Sequence, residues 1–154
     1  MPHVTVETLV AAAAEDVFAV SQDYDARLEW DPFLRDLRFV NGSGPGIGRR
    51  VWVKARSGIE MTAEYVVYRS PELVGVKMID GPAIFRTFGA TWRFTPEGAS
   101  RSRITFQYSF TLKRWTLPPI SHRIAEWIFR RDMRKRIEAL RRYAEQRLTI
   151  GGQS

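Results

Sequence analysis

Apolar and polar residues alternate with a period of two along most of this chain, and with a helical period only near its two ends. From His3 to Val10 the residues Val4, Val6, Thr8 and Val10 share one face, which predicts a first strand. Ala13 to Ser21 predicts a short helix, with Glu15 and Asp16 in the first turn where the helix dipole favours them. Tyr24 to Trp30 predicts a second short helix, stopped by Pro32. Leu34 to Val40 reads as a strand that runs into the glycine-rich loop 41–48.

Five more strands follow: Arg49 to Ala55, Glu60 to Tyr68, Leu73 to Ile79, Ala83 to Thr95 and Ser102 to Leu112. The turns between them are short and rich in Gly and Pro, so they suit antiparallel hairpins and not parallel crossovers. Alternation is cleanest in the last two strands. Phe88, Ala90, Trp92 and Phe94 oppose Gly89, Thr91 and Arg93, while Ile104, Phe106, Tyr108, Phe110 and Leu112 oppose Thr105, Gln107, Ser109 and Thr111. Such strands bury one face and wet the other. After Pro118-Pro119, Ser121 to Leu148 predicts a helix of 28 residues, about 42 Å long. The spacings Glu126/Arg130, Asp132/Arg136 and Glu138/Arg142 suit ion pairs along it. The tail from Gly151 to Ser154 is expected to fray. The pattern predicts an α+β fold in one domain, residues 1–154: a seven-stranded antiparallel sheet with a long C-terminal helix.

Composition removes most catalytic hardware. There is no Cys among the 154 residues, which excludes disulfides, thiolate zinc sites, iron–sulfur clusters and thiol catalysis. His3 and His122 are the only imidazoles, so no metal site and no cofactor are expected. Asp23, Asp25, Glu29, Asp31 and Asp36 lack the Asp/Asn density and the turn glycine of a calcium loop, and read as a solvated face. The net charge is +7. Between Ser121 and Leu148 stand nine basic residues against four acidic ones, so most of the excess lies in one segment. That helix pairs many of its own charges, and the strands carry no exposed aromatic stacking platform, which argues against nucleic acid as a partner. No basic leader precedes the apolar run Thr8 to Val20, and no stretch approaches 18 uncharged apolar residues. A cytoplasmic location is expected.

Several local runs carry a family resemblance: Ala13-Ala14-Glu15-Asp16-Val17-Phe18, Trp30-Asp31-Pro32-Phe33, Gly46-Ile47-Gly48, Gly81-Pro82, Trp92-Arg93-Phe94, and the run from Ile104 to Phe110. With the order of elements, they resemble the START-like (SRPBCC, helix-grip) superfamily, and within it the bacterial polyketide cyclase/dehydratase and lipid-transport branch. The resemblance spans Val4 to Gln146. It implies a curved sheet gripping the long helix, with a cavity for an apolar ligand between them. Its motifs are structural, so no catalytic role is carried over to any residue.

On that reading, the inward strand faces supply Met61, Ala63, Tyr65 and Val67, then Val74, Val76 and Met78, then the Phe88 and Phe106 faces. The candidate ligand-binding residues are Tyr65, Arg86, Phe88, Trp92, Phe106, Tyr108 and Phe110 from the sheet, with Met133 and Ile137 from the helix. A filled core would show the same alternation. Arg86 shares parity with Phe88 and Trp92, so it either points inward to a partner or lies at the rim and reaches water. Glu60 and Glu64 fall on the outward parity, so no internal carboxylate pair is expected.

Three functions are compatible with these residues. The first is binding or carriage of a small hydrophobic molecule such as a lipid, an isoprenoid or an aromatic polyketide-like compound. The second is a cyclase or dehydratase acting on a carbonyl-rich chain. The third is a docking module built on the C-terminal helix, where Phe129, Met133, Ile137, Leu140, Ala144 and Leu148 form one stripe and Ile124, Trp127 and Ile128 fall almost opposite. That second patch is either a membrane or protein contact, or is covered by Trp115 and Leu117 from the preceding loop.

Overall fold

Seven strands form one antiparallel sheet in the computed structural model, which describes residues 3–151. They are β1 His3–Val10, β2 Leu34–Phe39, β3 Arg50–Ala55, β4 Glu60–Arg69, β5 Leu73–Asp80, β6 Phe85–Pro96 and β7 Ser102–Leu112. The helices α1 Ala14–Gln22 and α2 Arg27–Trp30 separate β1 from β2, and α3 Pro118–Gly151 ends the chain. Across the sheet the order is β1-β7-β6-β5-β4-β3-β2. Each hairpin lies beside the next, and only the β1–β7 pairing joins distant parts of the chain. The expected α+β helix-grip class is the one found.

Strand β7 alternates without a fault, burying Ile104, Phe106, Tyr108, Phe110 and Leu112. Strands β4 and β6 do not. Register shifts between Tyr65 and Val67, and between Phe85 and Thr87, each reverse the parity beyond them. Tyr68 therefore joins the hydrophobic core where alternation called for Val67, and Phe85 is buried where it called for Arg86. Arg86 is exposed. The expectation of an inward Arg86 fails because the irregular residue in β6 turns its side chain out, and of the two readings the solvated one holds.

Helix α3 begins three residues earlier than the sequence pattern suggested. Pro118 and Pro119 do not break it, because the first turn of a helix needs no backbone N–H donors there. Leu117, at φ 56°, turns the chain into the helix, and its carbonyl accepts the N–H of Ser121. The C-terminal half packs on β1 and α1: Met133, Ile137, Leu140 and Ala144 are buried with Val4, Val6, Val10 and Val17. Two side chains tie this half to β1 and the residue that follows it. Glu138 accepts from the Thr8 hydroxyl at 3.0 Å, and Glu145 accepts from the Ala11 N–H at 3.1 Å. Glu138 pairs with Arg141 and not with Arg142.

Trp115 and Leu117 are exposed and do not cover Trp127, which is exposed as well. Among the described residues no helix is long and apolar enough to cross a membrane. The tail expected to fray starts at Gly151, which is the last residue of α3, and residues 152–154 lie outside the described residues.

Candidate functional site

Small side chains on the concave face of the sheet leave a space that the N-terminal half of α3 spans without filling. Ala55, Ala63 and Ala90 stand on β3, β4 and β6 where larger residues would meet the helix. The result is a cavity of about 680 Å³, well within the size of small-molecule sites. Its wall is largely apolar and aromatic. Trp92 and Phe106 stack with centroids 3.7 Å apart, and Phe88 meets Tyr108 edge to face at 4.9 Å. Phe129 of α3 packs against Phe85, Phe88 and Tyr108, forming the helix side of that wall. These rings satisfy one another around the space instead of occupying it.

The two ends of the cavity differ. Ile59, Ile84, Ile124 and Ile128 border one end and are exposed there. At the other end lie Gln22, Arg27, Tyr65, Tyr108 and Arg136, all buried. Five polar side chains are buried at this end, so each must find partners.

Asp31 organises the buried end. Its carboxylate accepts from Arg27 Nε at 3.0 Å, from Arg136 Nη2 at 2.9 Å, and from the Phe33 N–H at 3.0 Å. Burial works against its charge, yet the two guanidinium groups prevail and hold the carboxyl below its usual value. Arg136 shows the reverse balance: burial opposes the cation, Asp31 outweighs it, and the guanidinium is held more firmly protonated. Arg136 Nη1 also donates to the Tyr108 hydroxyl at 2.5 Å. Arg27 Nη1 donates to the Ser21 carbonyl at 2.9 Å, and its guanidinium lies 4.6 Å from the Trp30 ring centre. Arg136 sits similarly over Phe33, at 4.9 Å.

A second chain of bonds runs beside the first. The Tyr65 hydroxyl donates to Gln22 Oε1 at 2.9 Å and bonds the Tyr24 hydroxyl. Gln22 Nε2 donates to Ser21 Oγ, and Ser21 Oγ to the Phe18 carbonyl. Burial pushes both the Tyr65 and Tyr108 hydroxyls well above the usual phenol value, so each is a neutral donor and not a phenolate base. The arrangement is suited to gripping and polarising an oxygen-bearing group. It offers no free carboxylate at the buried end, because Asp31 is committed to its arginines.

Of the residues expected to bind a ligand, Tyr65, Phe88, Trp92, Phe106 and Tyr108 border the cavity. Phe110, Met133 and Ile137 do not: they are buried in the packed core, because α3 meets β7 and β1 directly at their level. Arg86 is outside altogether. The sequence reading missed Gln22, Tyr24, Arg27, Asp31 and Arg136. Asp31 belongs to no solvated face, and Arg136 pairs with it across the fold and not with Asp132 along the helix. One signal was available for Arg136: it stands three residues from Met133 and four from Leu140, on the buried stripe. Ile124 and Ile128, expected to face away from the sheet, border the open end of the cavity. Among the described residues no group of three or more His, Cys, Asp or Glu side chains is placed to hold a metal ion.

Residues 1–145 match the family model described as polyketide cyclase / dehydrase and lipid transport. No curated protein matches the chain. Among solved structures, the chain is similar to the Zhui aromatase/cyclase from Streptomyces sp. R1128, at 18% identity and TM-score 0.82, covering 96% of this chain and 95% of that one. It is similar to a START superfamily protein from Mycobacterium smegmatis, at 15% identity and TM-score 0.78, covering 94% and 97%. A third is norcoclaurine synthase from Thalictrum flavum in complex with dopamine and hydroxybenzaldehyde, at 18% identity and TM-score 0.72, covering 94% and 87%. At these identities the likeness to solved structures carries the fold alone.

Proposed function

The chain belongs to the polyketide cyclase/dehydrase and lipid transport family, and from that premise we propose that it binds a small hydrophobic molecule inside its sheet–helix cavity. The observation that carries this reading is the cavity of about 680 Å³, lined mostly by apolar and aromatic side chains, with Gln22, Arg27, Tyr65, Tyr108 and Arg136 gathered at its buried end. Tyr65, Phe88, Trp92, Phe106 and Tyr108 are the sheet residues that contact the ligand. A lipid, an isoprenoid or an aromatic polyketide-like compound matches the wall, whose rings bury apolar area and stack on planar groups.

The test has two arms. Native mass spectrometry of the purified protein, followed by solvent extraction, should yield a copurified small molecule. The neutral dye N-phenyl-1-naphthylamine should brighten in the presence of the protein, and Ala90→Trp, which fills the cavity, should suppress that signal. A protein that carries nothing and leaves the dye dark would overturn the reading.

A second reading is favoured by one contact. Arg136 polarises the Tyr108 hydroxyl through their 2.5 Å hydrogen bond at the cavity wall, so Tyr108 is a ready donor to a substrate carbonyl. That suits ring closure or dehydration of a carbonyl-rich chain, and the match to a polyketide cyclase / dehydrase and lipid transport family supports it. Tyr108→Phe separates the two readings. A carrier keeps its ligand with little change, whereas a cyclase loses turnover of a linear poly-carbonyl substrate, read by mass spectrometry, while still binding it.

A further inference from the structure

The buried end of the cavity holds two cations and one anion. Arg27, Arg136 and Asp31 are each nearly inaccessible, and the pair of guanidinium groups shares a single carboxylate. The acid that borders the cavity, Asp132, lies one turn before Arg136 on α3, partly exposed and 4.0 Å from Arg131. Aromatic rings soften the excess: Arg27 lies against Trp30 and within 5.9 Å of Trp92, and Arg136 against Phe33 and Phe106. Rings disperse a positive charge without neutralising it, and an unmatched buried guanidinium is costly. Both arginines border the empty space.

Resting on the cavity-binding reading above, we propose that the preferred ligand is a hydrophobic acid, its tail along the Phe88–Trp92–Phe106 wall and its carboxylate beside Arg27 and Arg136. The anion completes the charge balance that Asp31 leaves half made. The Tyr108 hydroxyl, which accepts from Arg136 and keeps its own proton to donate, borders the cavity at the same end and orients it.

Displacement of N-phenyl-1-naphthylamine by dodecanoate, dodecan-1-ol and dodecylamine tests the idea on the unmodified protein. Charge-assisted hydrogen bonds predict that the acid binds about tenfold tighter than the alcohol, and the amine weakest. Arg27→Met should bring acid and alcohol to within about threefold. Equal displacement by acid and alcohol in the unmodified protein would overturn the proposal while leaving the cavity reading intact. Failure of the dye itself to bind would count against the cavity reading instead. The wild-type comparison holds even if Arg27→Met folds poorly.

A separate observation concerns the outer surface beside the open end. Trp115, Leu117, Ile120, Ile124 and Trp127 are between 55% and 68% exposed, an apolar ridge carried by the turn before α3 and its first three turns. Ile59 and Ile84 add exposed apolar area from the β3–β4 and β5–β6 connections. Around the ridge, residues 113–132 hold five basic side chains, Lys113, Arg114, Arg123, Arg130 and Arg131, against Glu126 and Asp132. All five are exposed, and Arg131 lies over the Trp127 ring at 5.3 Å.

An apolar ridge with Trp and Ile at its crest and a cationic fringe matches an anionic bilayer surface in both polarity and charge. We infer that this face docks on anionic phospholipid membrane, placing the cavity mouth against the headgroup layer from which a lipophilic ligand enters. Cosedimentation with phosphatidylcholine vesicles, with and without phosphatidylglycerol, tests this. Binding should require phosphatidylglycerol, fall when ionic strength is raised to roughly 0.5 M, and weaken about fivefold or more with Trp127→Ala or Ile120→Ser. Both side chains are solvent-exposed, so neither variant threatens folding. Equal binding to neutral vesicles, or indifference to both variants, would overturn the proposal. So would a dimer that Trp127→Ala dissolves, in a protein that ignores vesicles, because the ridge would then belong to a second copy.

Discussion

The two halves of α3 carry the same helical period and have opposite fates. From Met133 to Ala144 the stripe Met133, Ile137, Leu140 and Ala144 is sealed against β1 and α1, with nothing between helix and sheet. From Ile120 to Phe129 the helix spans open space, exposing Ile120, Ile124 and Trp127 and lining a cavity with Ala125, Ile128 and Phe129. What lies opposite decides the difference. Valines of β1 meet the C-terminal half at close range, while the alanines of β3, β4 and β6 stand back from the N-terminal half. An apolar helical stripe records that a helix needs an apolar partner. It does not record whether that partner is a side chain or a ligand. Arg136, within the sealed stretch, turns from the stripe toward the cavity, where its ion pair with Asp31 marks the boundary between the two.

That boundary is where the comparison breaks most readily. Asp31→Asn leaves Arg27 and Arg136 buried without their carboxylate and should cost about 3–5 kcal/mol in urea denaturation, enough to threaten folding. Within the halves, Leu140→Ala should cost about 2–5 kcal/mol because it opens a void in packed core. Ile124→Ala, on the hollow half, should stay within about 0.5 kcal/mol. Near-equal losses from these two alanine variants would abolish the distinction between the halves.

Acid should act on the same boundary. The Asp31 carboxyl titrates below its unfolded value of about 3.8 in the native protein. Its contribution is therefore complete above that value and fades as the pH falls through it toward the native value, since only the unfolded chain takes up the proton there. The gap in melting temperature between wild type and Asp31→Asn, measured from about pH 6 down to pH 3, should begin to narrow at the acid end. The smallest effect expected is that of Ile128→Ala, which should leave the melting temperature within about 2 °C of wild type while measurably altering dye affinity at the open end.

Much of the fold was legible because its causes are local. Strand β7 runs from Ser102 to Leu112 as alternation requires, and β1 from His3 to Val10 likewise. The site was legible in its aromatic wall and in Tyr65 and Tyr108, but not in Gln22, Arg27 or Arg136. Phe88, Trp92, Phe106 and Tyr108 followed from parity along regular strand. Arg86 did not, because a single irregular residue near Thr87 reverses every side chain before it, and no pattern in residues 83–87 announces it.

The sequence by itself determined the order of elements, the antiparallel pairing of neighbours, and the buried stripe of the long helix, since each depends on spacing within a few residues. Only the tertiary structure decided that Asp31, one carboxylate in an acidic stretch, is buried between Arg27 and Arg136. The reason is physical. Burial of a charge is decided by groups that meet across the fold, here 105 positions apart in the chain. The hollow beneath half of α3 is of the same kind, because a cavity is a shortfall of volume between surfaces that no local pattern brings together.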